Sequence, residues 1–279
     1  MTTVYKKSAG LQDTEMHYCP GCSHGIVHKL VAEVMEEMGL IDTAILVCPV
    51  GCAVFAGNYL ACDTIEAAHG RAPAAATGIK RTHPDQLVVT YQGDGDLASI
   101  GTAEIVHAAM RGEKFTTIFI NNAIYGMTGG QMAPTTLLGQ YATTAPHGRQ
   151  QDIHGMPMRV SELLSTMGGL VYAERVCVAD VPNIMKAKRA IRKAFEKQLA
   201  GEGFTFVDGG YDIRAGAVVG QLITENGLIE NCYVVDATID PGAHVTGGIA
   251  GCVYEGTIQN CHGNSHFFRN ILNTHKHFV

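Results

Sequence analysis

Between Leu87 and Gly126 the hydrophobic positions change period twice. LVVTYQ (87–92) and FTTIFI (115–120) are unbroken β-rich runs of the kind buried on both faces of a parallel sheet. Between them Ile100, Ala103, Val106, His107 and Met110 recur at helical spacing, which puts them on one face of a helix over Leu97–Met110. The segment therefore reads as strand, turn, helix, strand. Its turn is GDGD (Gly93–Asp96), where a side chain at Gly93 or Gly95 would crowd the backbone.

The same pattern continues on both sides. A helix after CPGCSHG carries the stripe Ile26, Leu30, Val34 and Met38, and AILVC (44–48) is a short buried strand ending at PVGC. Ala74–Lys80 is small-residue helix suited to packing against the sheet. A long polar loop, Thr128–Arg149, exceeds the usual length for a compact domain and reads as functional. A short helix at 160–167, the strand VYAERVCV, a helix over Pro182–Leu199 and the strand FTFVD (204–208) complete the unit. In the 182–199 helix Ile184, Ala187, Ile191, Ala194 and Phe195 face inward, and the lysines and arginines form a solvated face.

Past residue 208 charge falls and glycine rises. GLIENCY (227–233) recurs as GTIQNCH (256–262) at an offset of 29 (256 minus 227), which suggests stacked β-units. The expected organisation is an α/β domain over 1–208, doubly wound around a mostly parallel sheet, with a glycine-rich β-repeat tail over 209–279. Asn231 and Asn260 of the repeats read as turn-capping residues.

Charge and cysteines narrow the functional classes. A net charge of −6 with 16% charged residues carries no polyanion-binding signature, so nucleic acid is not expected as a partner. No signal peptide and no membrane-spanning apolar run is read, which points to the cytoplasm. In that setting nine cysteines suggest metal ligands or free thiols rather than disulfides. Cys48, Cys62 and Cys177 read as core residues.

The chemistry gathers at strand ends. A parallel sheet would set Asp94 and Asn122 side by side at its ligand-binding edge. A carboxylate and an amide oxygen there, with glycine amides nearby, suit a hard cation carrying a diphosphate. On residues alone, CPGC fits a zinc half-site, a redox dithiol or iron–sulfur thiolates.

GDG followed by NN a little under thirty residues later resembles the thiamine diphosphate motif. With CPGC, PVGC, EAAHGRA and TGGQMAPTT, residues 17–207 resemble the β subunit of 2-oxoacid:ferredoxin oxidoreductases, nearest to the branched-chain or 2-oxoglutarate type. The resemblance implies thiamine diphosphate, with Mg²⁺ held by Asp94, Asn122 and the Ile124 carbonyl. Gly93, Gly95 and Asp96 would flank the diphosphate, and Thr128, Gly129, Gly130 and Gln131 would close over it. His69 and Arg71 would be catalytic, His69 exchanging protons and Arg71 meeting the diphosphate or a substrate carboxylate. His147 and Arg149 are weaker candidates in the same loop. Cys19, Cys22 and Cys52 would hold a [4Fe-4S] cluster.

The family's fourth cluster cysteine has no match here, where GGYDIRAGAVVG follows the last strand. The next cysteines are Cys232, Cys252 and Cys261, which would offer a substitute ligand only by accident of folding. The tail resembles GLUG repeats of cell-surface proteins. The implied activity is oxidative decarboxylation of a 2-oxoacid to acyl-CoA, with electrons passed to ferredoxin. It would need an α subunit, which supplies the activating glutamate, and γ or δ subunits. A cluster-free thiamine-dependent decarboxylase and an inactive chimeric subunit with an adhesive tail are the competing readings.

Overall fold

A computed structural model describes residues 6–19 and 21–209, together with the backbone of four later strands. In chain order the elements are α1 (His24–Glu37), β1 (Ile45–Cys48), a 3₁₀ segment (Cys52–Asn58), β2 (Asp63–Glu66), α2 (Ala72–Thr82) and β3 (Val88–Gly93). A π-helical turn (Asp96–Ile100), α3 (Thr102–Arg111), β4 (Thr116–Ile120) and the two-residue strands β5 (Ile124–Tyr125) and β6 (Gln131–Met132) follow. Then come α4 (Gln151–His154), α5 (Val160–Ser165), β7 (Leu170–Val176), α6 (Val181–Leu199) and β8 (Phe204–Gly209).

Six strands form one sheet in the order β2-β1-β3-β4-β8-β7, every pair parallel. Alternate residues of its strands feed two cores, one on each face. Leu46, Val89, Ile118 and Val207 pack with α1 and α6, while Val47, Val88, Phe119 and Phe206 pack with α2, α3 and α5. This is the doubly wound α/β arrangement that the continuous apolar strand runs imply. The sheet's threonines stay buried because they bond to each other: the Thr90 and Thr117 hydroxyls are 2.8 Å apart, as are those of Thr116 and Thr205.

Of the face expected for α6, Ala187, Ile191, Ala194 and Phe195 are buried and Ile184 is partly buried, and Ala190 joins them. Asp180 caps the helix by accepting the Asn183 N–H at 2.9 Å. The stripe expected for α1 is rotated, since Val27, Leu30, Val31, Val34 and Met35 are buried and Ile26 is exposed.

The face expected for α3 is the wrong one. Ile100 and Met110 are exposed, and the buried residues are Ile105, Ala108 and Ala109. The alanines let α3 approach its neighbours closely, and that gain in packing outweighs the larger size of the residues left outside.

The GDGD segment is not a free turn either. Gly93 ends β3, and the chain passes directly into helix, with the Gly101 N–H reaching back to the Asp96 carbonyl at 2.9 Å across a π-type turn.

The chain divides into two compact units: residues 1–129, 133–135 and 158–211, and residues 130–132, 136–157 and 212–279. In the second unit Arg149 is buried and donates to the carbonyls of Thr136, His154, Gly155 and Met156. It staples the loop from inside, and His147 is exposed.

The tail contributes β9 (Arg214–Gly216), β10 (Val219–Glu230), β11 (Val245–Gly247) and β12 (Ala250–Gln259). β10 pairs with β12 in parallel, Ile229 opposite Ile258, an offset of 29 (258 minus 229) equal to the repeat period. β9 pairs with β11, also in parallel. Asn231, Asn260, Cys232 and Cys261, and the side chain of Cys252, lie outside the described residues.

Candidate active site

Parallel pairing of β3 with β4 brings the two strand ends together, Gly93 standing opposite Ile120. One cavity opens there, lined by His24, Val50–Ala53, His69, Gly93–Asp96, Asn122 and Ile124–Thr128. The site is thus at the carboxyl ends of the strands, where doubly wound sheets take their ligands.

Asp94 is 1% exposed. Its Oδ2 accepts the Ala123 N–H at 2.5 Å and the Thr135 hydroxyl at 2.5 Å, and its Oδ1 accepts the Gly95 N–H at 2.9 Å. All three donors are neutral. Burial therefore dominates and pushes the Asp94 carboxyl up to about 6, while the hydrogen bonds pull it down. A buried, oriented carboxylate with neutral donors is suited to a divalent cation, whose charge would offset the desolvation cost.

Asn122 donates its amide N–H to the Cys22 carbonyl at 3.2 Å, so its oxygen is the atom left to act as a ligand. Between Asn122 and Ile124 the backbone of Ala123 is left-handed, with φ 63°. That conformation is uncommon outside glycine, and here it delivers the N–H that Asp94 accepts.

The two motif glycines do different work. A Cβ on Gly95 would stand 2.4 Å from the Tyr125 ring, so the expected crowding is real there. A Cβ on Gly93 would meet nothing within 4 Å of protein. Since Gly93 lines the cavity, what its missing side chain spares is ligand space, not backbone.

Asp96 lies on the cavity wall, but its carboxylate is engaged inward. Oδ1 meets His69 Nδ1 at 2.5 Å and the Gly70 N–H at 2.8 Å, and Oδ2 accepts from Gln92 at 2.7 Å. It therefore ties the HGR loop to the helix start. Gly70 (φ 76°) and Gly101 make that junction possible, because a Cβ on Gly70 would stand 2.6 Å from the Gly101 nitrogen. His69 is thereby held on the cavity with Nδ1 toward a carboxylate, an orientation that leaves Nε2 for a ligand.

Arg71, expected in the site, is not brought to the cavity. It precedes α2 and pairs with Glu104 of α3. Of the loop residues expected to close over the cofactor, Thr128 lines the cavity; Gly129 does not, and Gly130 and Gln131 fall in the second unit.

Cys52 lies on the cavity wall, its sulfur 3.2 Å from where a Cβ on Gly126 would stand. Burial pushes the Cys22 and Cys52 thiols up, and the neighbouring Cys19 sulfur adds to the effect in both. The three are thus mutual neighbours, with Cys19 exposed. Among the described residues, however, no three His, Cys, Asp or Glu side chains are gathered closely enough to hold a metal ion. Cys48 is buried in the core as expected, and burial pushes its thiol up to about 11.

Three contributors were missed in the sequence. Thr135 and Ala123 complete the Asp94 shell, and both were visible only as part of longer motifs. His24, three per cent exposed, lies on the cavity wall within a cluster of histidine and tyrosine rings. Its position two residues after CPGC was the available signal.

Residues 49–209 match the family model for the thiamine pyrophosphate enzyme, C-terminal TPP-binding domain. The chain is 51% identical over 205 residues to the ketoisovalerate oxidoreductase subunit VorA of Methanothermobacter thermautotrophicus, a match over 74% of this chain and 43% of that protein. It is 38% identical to the 2-oxoglutarate synthase subunit KorB of Methanocaldococcus jannaschii, over 71% of this chain and 69% of that one. The matched region thus spans less than half the length of VorA. In fold, the chain is similar to a 2-oxoglutarate:ferredoxin oxidoreductase structure from Magnetococcus marinus, with a TM-score of 0.61 and 22% identity over 96% of this chain and 91% of that one. The family match over residues 49–209 and the likeness to KorB over more than two thirds of its length place this protein among the thiamine pyrophosphate enzymes, with the β subunits of the 2-oxoacid:ferredoxin oxidoreductases.

Proposed function

We propose that this chain is the thiamine diphosphate-binding half of a cytoplasmic 2-oxoacid:ferredoxin oxidoreductase. It would oxidatively decarboxylate a branched-chain 2-oxoacid or 2-oxoglutarate to acyl-CoA, with ferredoxin as electron acceptor. The observation that carries this reading is Asp94: a fully buried carboxylate with neutral donors only, beside the cavity and next to Asn122. Asp94, the Asn122 amide oxygen and the Ile124 carbonyl would hold Mg²⁺, and the Mg²⁺ would hold the diphosphate. Thiamine diphosphate, when bound, supplies the nucleophile and the electron sink for decarboxylation.

The chain's own residues do the positioning. Gly93 leaves room for the ligand, and Gly95 lets Tyr125 close the wall. Asp96 orients His69, which would exchange a proton with substrate through Nε2. Among the described residues, no carboxylate lines the cavity beyond Asp94 and Asp96, and both are engaged by donors from this chain. An activating glutamate is therefore a contribution expected from an α subunit, with γ or δ subunits completing the complex. Cys19, Cys22 and Cys52 are the thiols that would meet an iron–sulfur cluster. They are three where a cubane takes four, and no step is assigned to it.

The direct test is calorimetry of thiamine diphosphate with Mg²⁺ on the full chain and on Asp94→Ala. Binding by the wild type and its loss in the variant are expected. Equal affinity in both would overturn the assignment. Oxidation of 2-oxoacids should appear only when a matching α subunit is added, so robust turnover by the chain alone would refute the half-site reading.

A further inference from the structure

Behind the cavity wall, rings from four segments pack together: His17 and Tyr18 ahead of α1, His24 and His28 on α1, Tyr59, and Tyr91 on β3. Tyr91 and His28 are fully buried and His24 nearly so. His28 stacks on Tyr91 with centroids 4.2 Å apart at 15°, and its Nε2 is 2.7 Å from the Tyr18 hydroxyl. The phenol of Tyr91 is therefore clamped in plane and depth by a ring that is itself tied down.

The Tyr91 hydroxyl meets His24 twice, at its carbonyl oxygen and at ring Nδ1, both at 3.3 Å. Taken together as hydrogen bonds, the two contacts fix the donor roles by counting. A carbonyl oxygen only accepts, and a phenol has one hydrogen, so that hydrogen goes to the carbonyl. The phenol oxygen is then the acceptor facing Nδ1, and Nδ1 must carry the ring proton. A neutral imidazole protonated at Nδ1 has a bare lone pair at Nε2. Since His24 lines the cavity and its Nδ1 is taken, Nε2 is the polar atom left for a ligand.

We propose that Tyr91 is a positioning residue that places the His24 proton on Nδ1 and thereby presents Nε2 to the cavity as a pure hydrogen-bond acceptor. Such an acceptor takes a hydroxyl or amino hydrogen. It offers nothing to a carboxylate or phosphate oxygen, so the ligand atom at this wall is a donor on the bound cofactor or substrate. The ligand half of the inference rests on the thiamine diphosphate reading of the cavity; the tautomer half does not.

The test is nitrogen NMR of the full chain labelled with ¹⁵N-histidine, with His24 identified by its loss in His24→Gln. The wild type should show His24 protonated at Nδ1. In Tyr91→Phe the proton should move wholly or partly to Nε2, the form an unconstrained histidine side chain prefers. In Tyr18→Phe, which frees His28 but leaves Tyr91's hydroxyl in place, the His24 signals should stay as in the wild type. An Nε2-protonated His24 in the wild type, or no change in Tyr91→Phe, would overturn the proposal. Should Tyr91→Phe not fold, the wild-type spectrum decides alone. Saturation with thiamine diphosphate and Mg²⁺ should shift the wild-type Nε2 signal upfield as it gains a donor. Binding seen by calorimetry with an unmoved Nε2 signal would overturn the cavity-facing half. Absence of binding would instead remove the cofactor reading and leave the tautomer result standing.

Discussion

Asp94 and Asn122 stand one and two residues past the paired ends of β3 and β4, whereas Cys19 and Cys22 stand on the corner ahead of α1 and Cys52 opens a short 3₁₀ segment. Asp94 and Asn122 are placed by parallel strand register, and every Asp94 oxygen is occupied by a donor from the chain. Cys19, Cys22 and Cys52 are neighbours, but Cys19 is exposed and the three are not gathered to metal-holding distance. The difference shows what regular structure supplies. A strand end is positioned by the whole sheet, so its side chain is preorganised before any ligand arrives. A loop cysteine is positioned by a few local contacts, such as the Cys22 N–H to Cys19 carbonyl bond at 3.2 Å, and has less to hold it in place.

The strongest way to break this contrast is Asp94→Ala. It removes the acceptor of three donors at once, and affinity for thiamine diphosphate with Mg²⁺ should fall by at least about 100-fold. The corresponding change on the loop side, Cys52→Ala, should lower iron content after anaerobic reconstitution while changing cofactor affinity by less than about threefold. Comparable losses of cofactor affinity in both variants would mean that the two regions are one site.

Acid acts with opposite sign on the buried histidines of α1 and on Asp94. Burial holds His24 down to about 3 and His28 well below its ordinary value. The unfolded chain therefore takes up protons near pH 6.5 that the native state refuses, and stability falls as pH drops from there toward 3. Each proton the native state refuses contributes a slope of about 1.4 kcal/mol per pH unit. Asp94, held up to about 6, acts oppositely between 3.8 and 6, since its native form keeps the proton longer. Two protons against one leaves a net loss in acid, to be measured by denaturant titration at several pH values. Stabilisation by Mg²⁺ and cofactor should also fade below pH 6 as Asp94 protonates. An increment that persists unchanged at pH 5 would remove Asp94 from the metal site.

The glycines sharpen the comparison within the cradle. Gly95→Ala forces a methyl into the Tyr125 ring and should cost about 1–3 kcal/mol, lowering Tm by about 2–4 °C for each. Gly93→Ala should leave Tm nearly unchanged and weaken cofactor binding, because its methyl points into ligand space. The reverse pattern in calorimetry and melting would show that the two roles are exchanged. Arg71→Ala should have the smallest effect. Its pair with Glu104 is half exposed and worth about 0–1 kcal/mol, and cofactor affinity should stay within about twofold. A tenfold weakening would return Arg71 to the cavity.

What could be read from the sequence alone was whatever depends on period and order along the chain. The apolar runs 87–92, 115–120 and 204–208 read as buried strands of a parallel sheet. The spacing of Asp94 and Asn122 then followed from the sheet, because residues that end adjacent parallel strands must meet. The same holds for α6, whose apolar stripe repeats over more than three turns. Tertiary packing alone decided which face of α3 turned inward, because close approach through Ala108 and Ala109 depends on what lies opposite. It decided too that Arg71 would turn to Glu104 and that Arg149 would serve its own loop. The Asp94 shell required Thr135 from 41 residues away, and His24 required Tyr91 from 67 residues away. Hydrogen bonds of such separation leave no periodic trace, since each needs only one donor at one place in space.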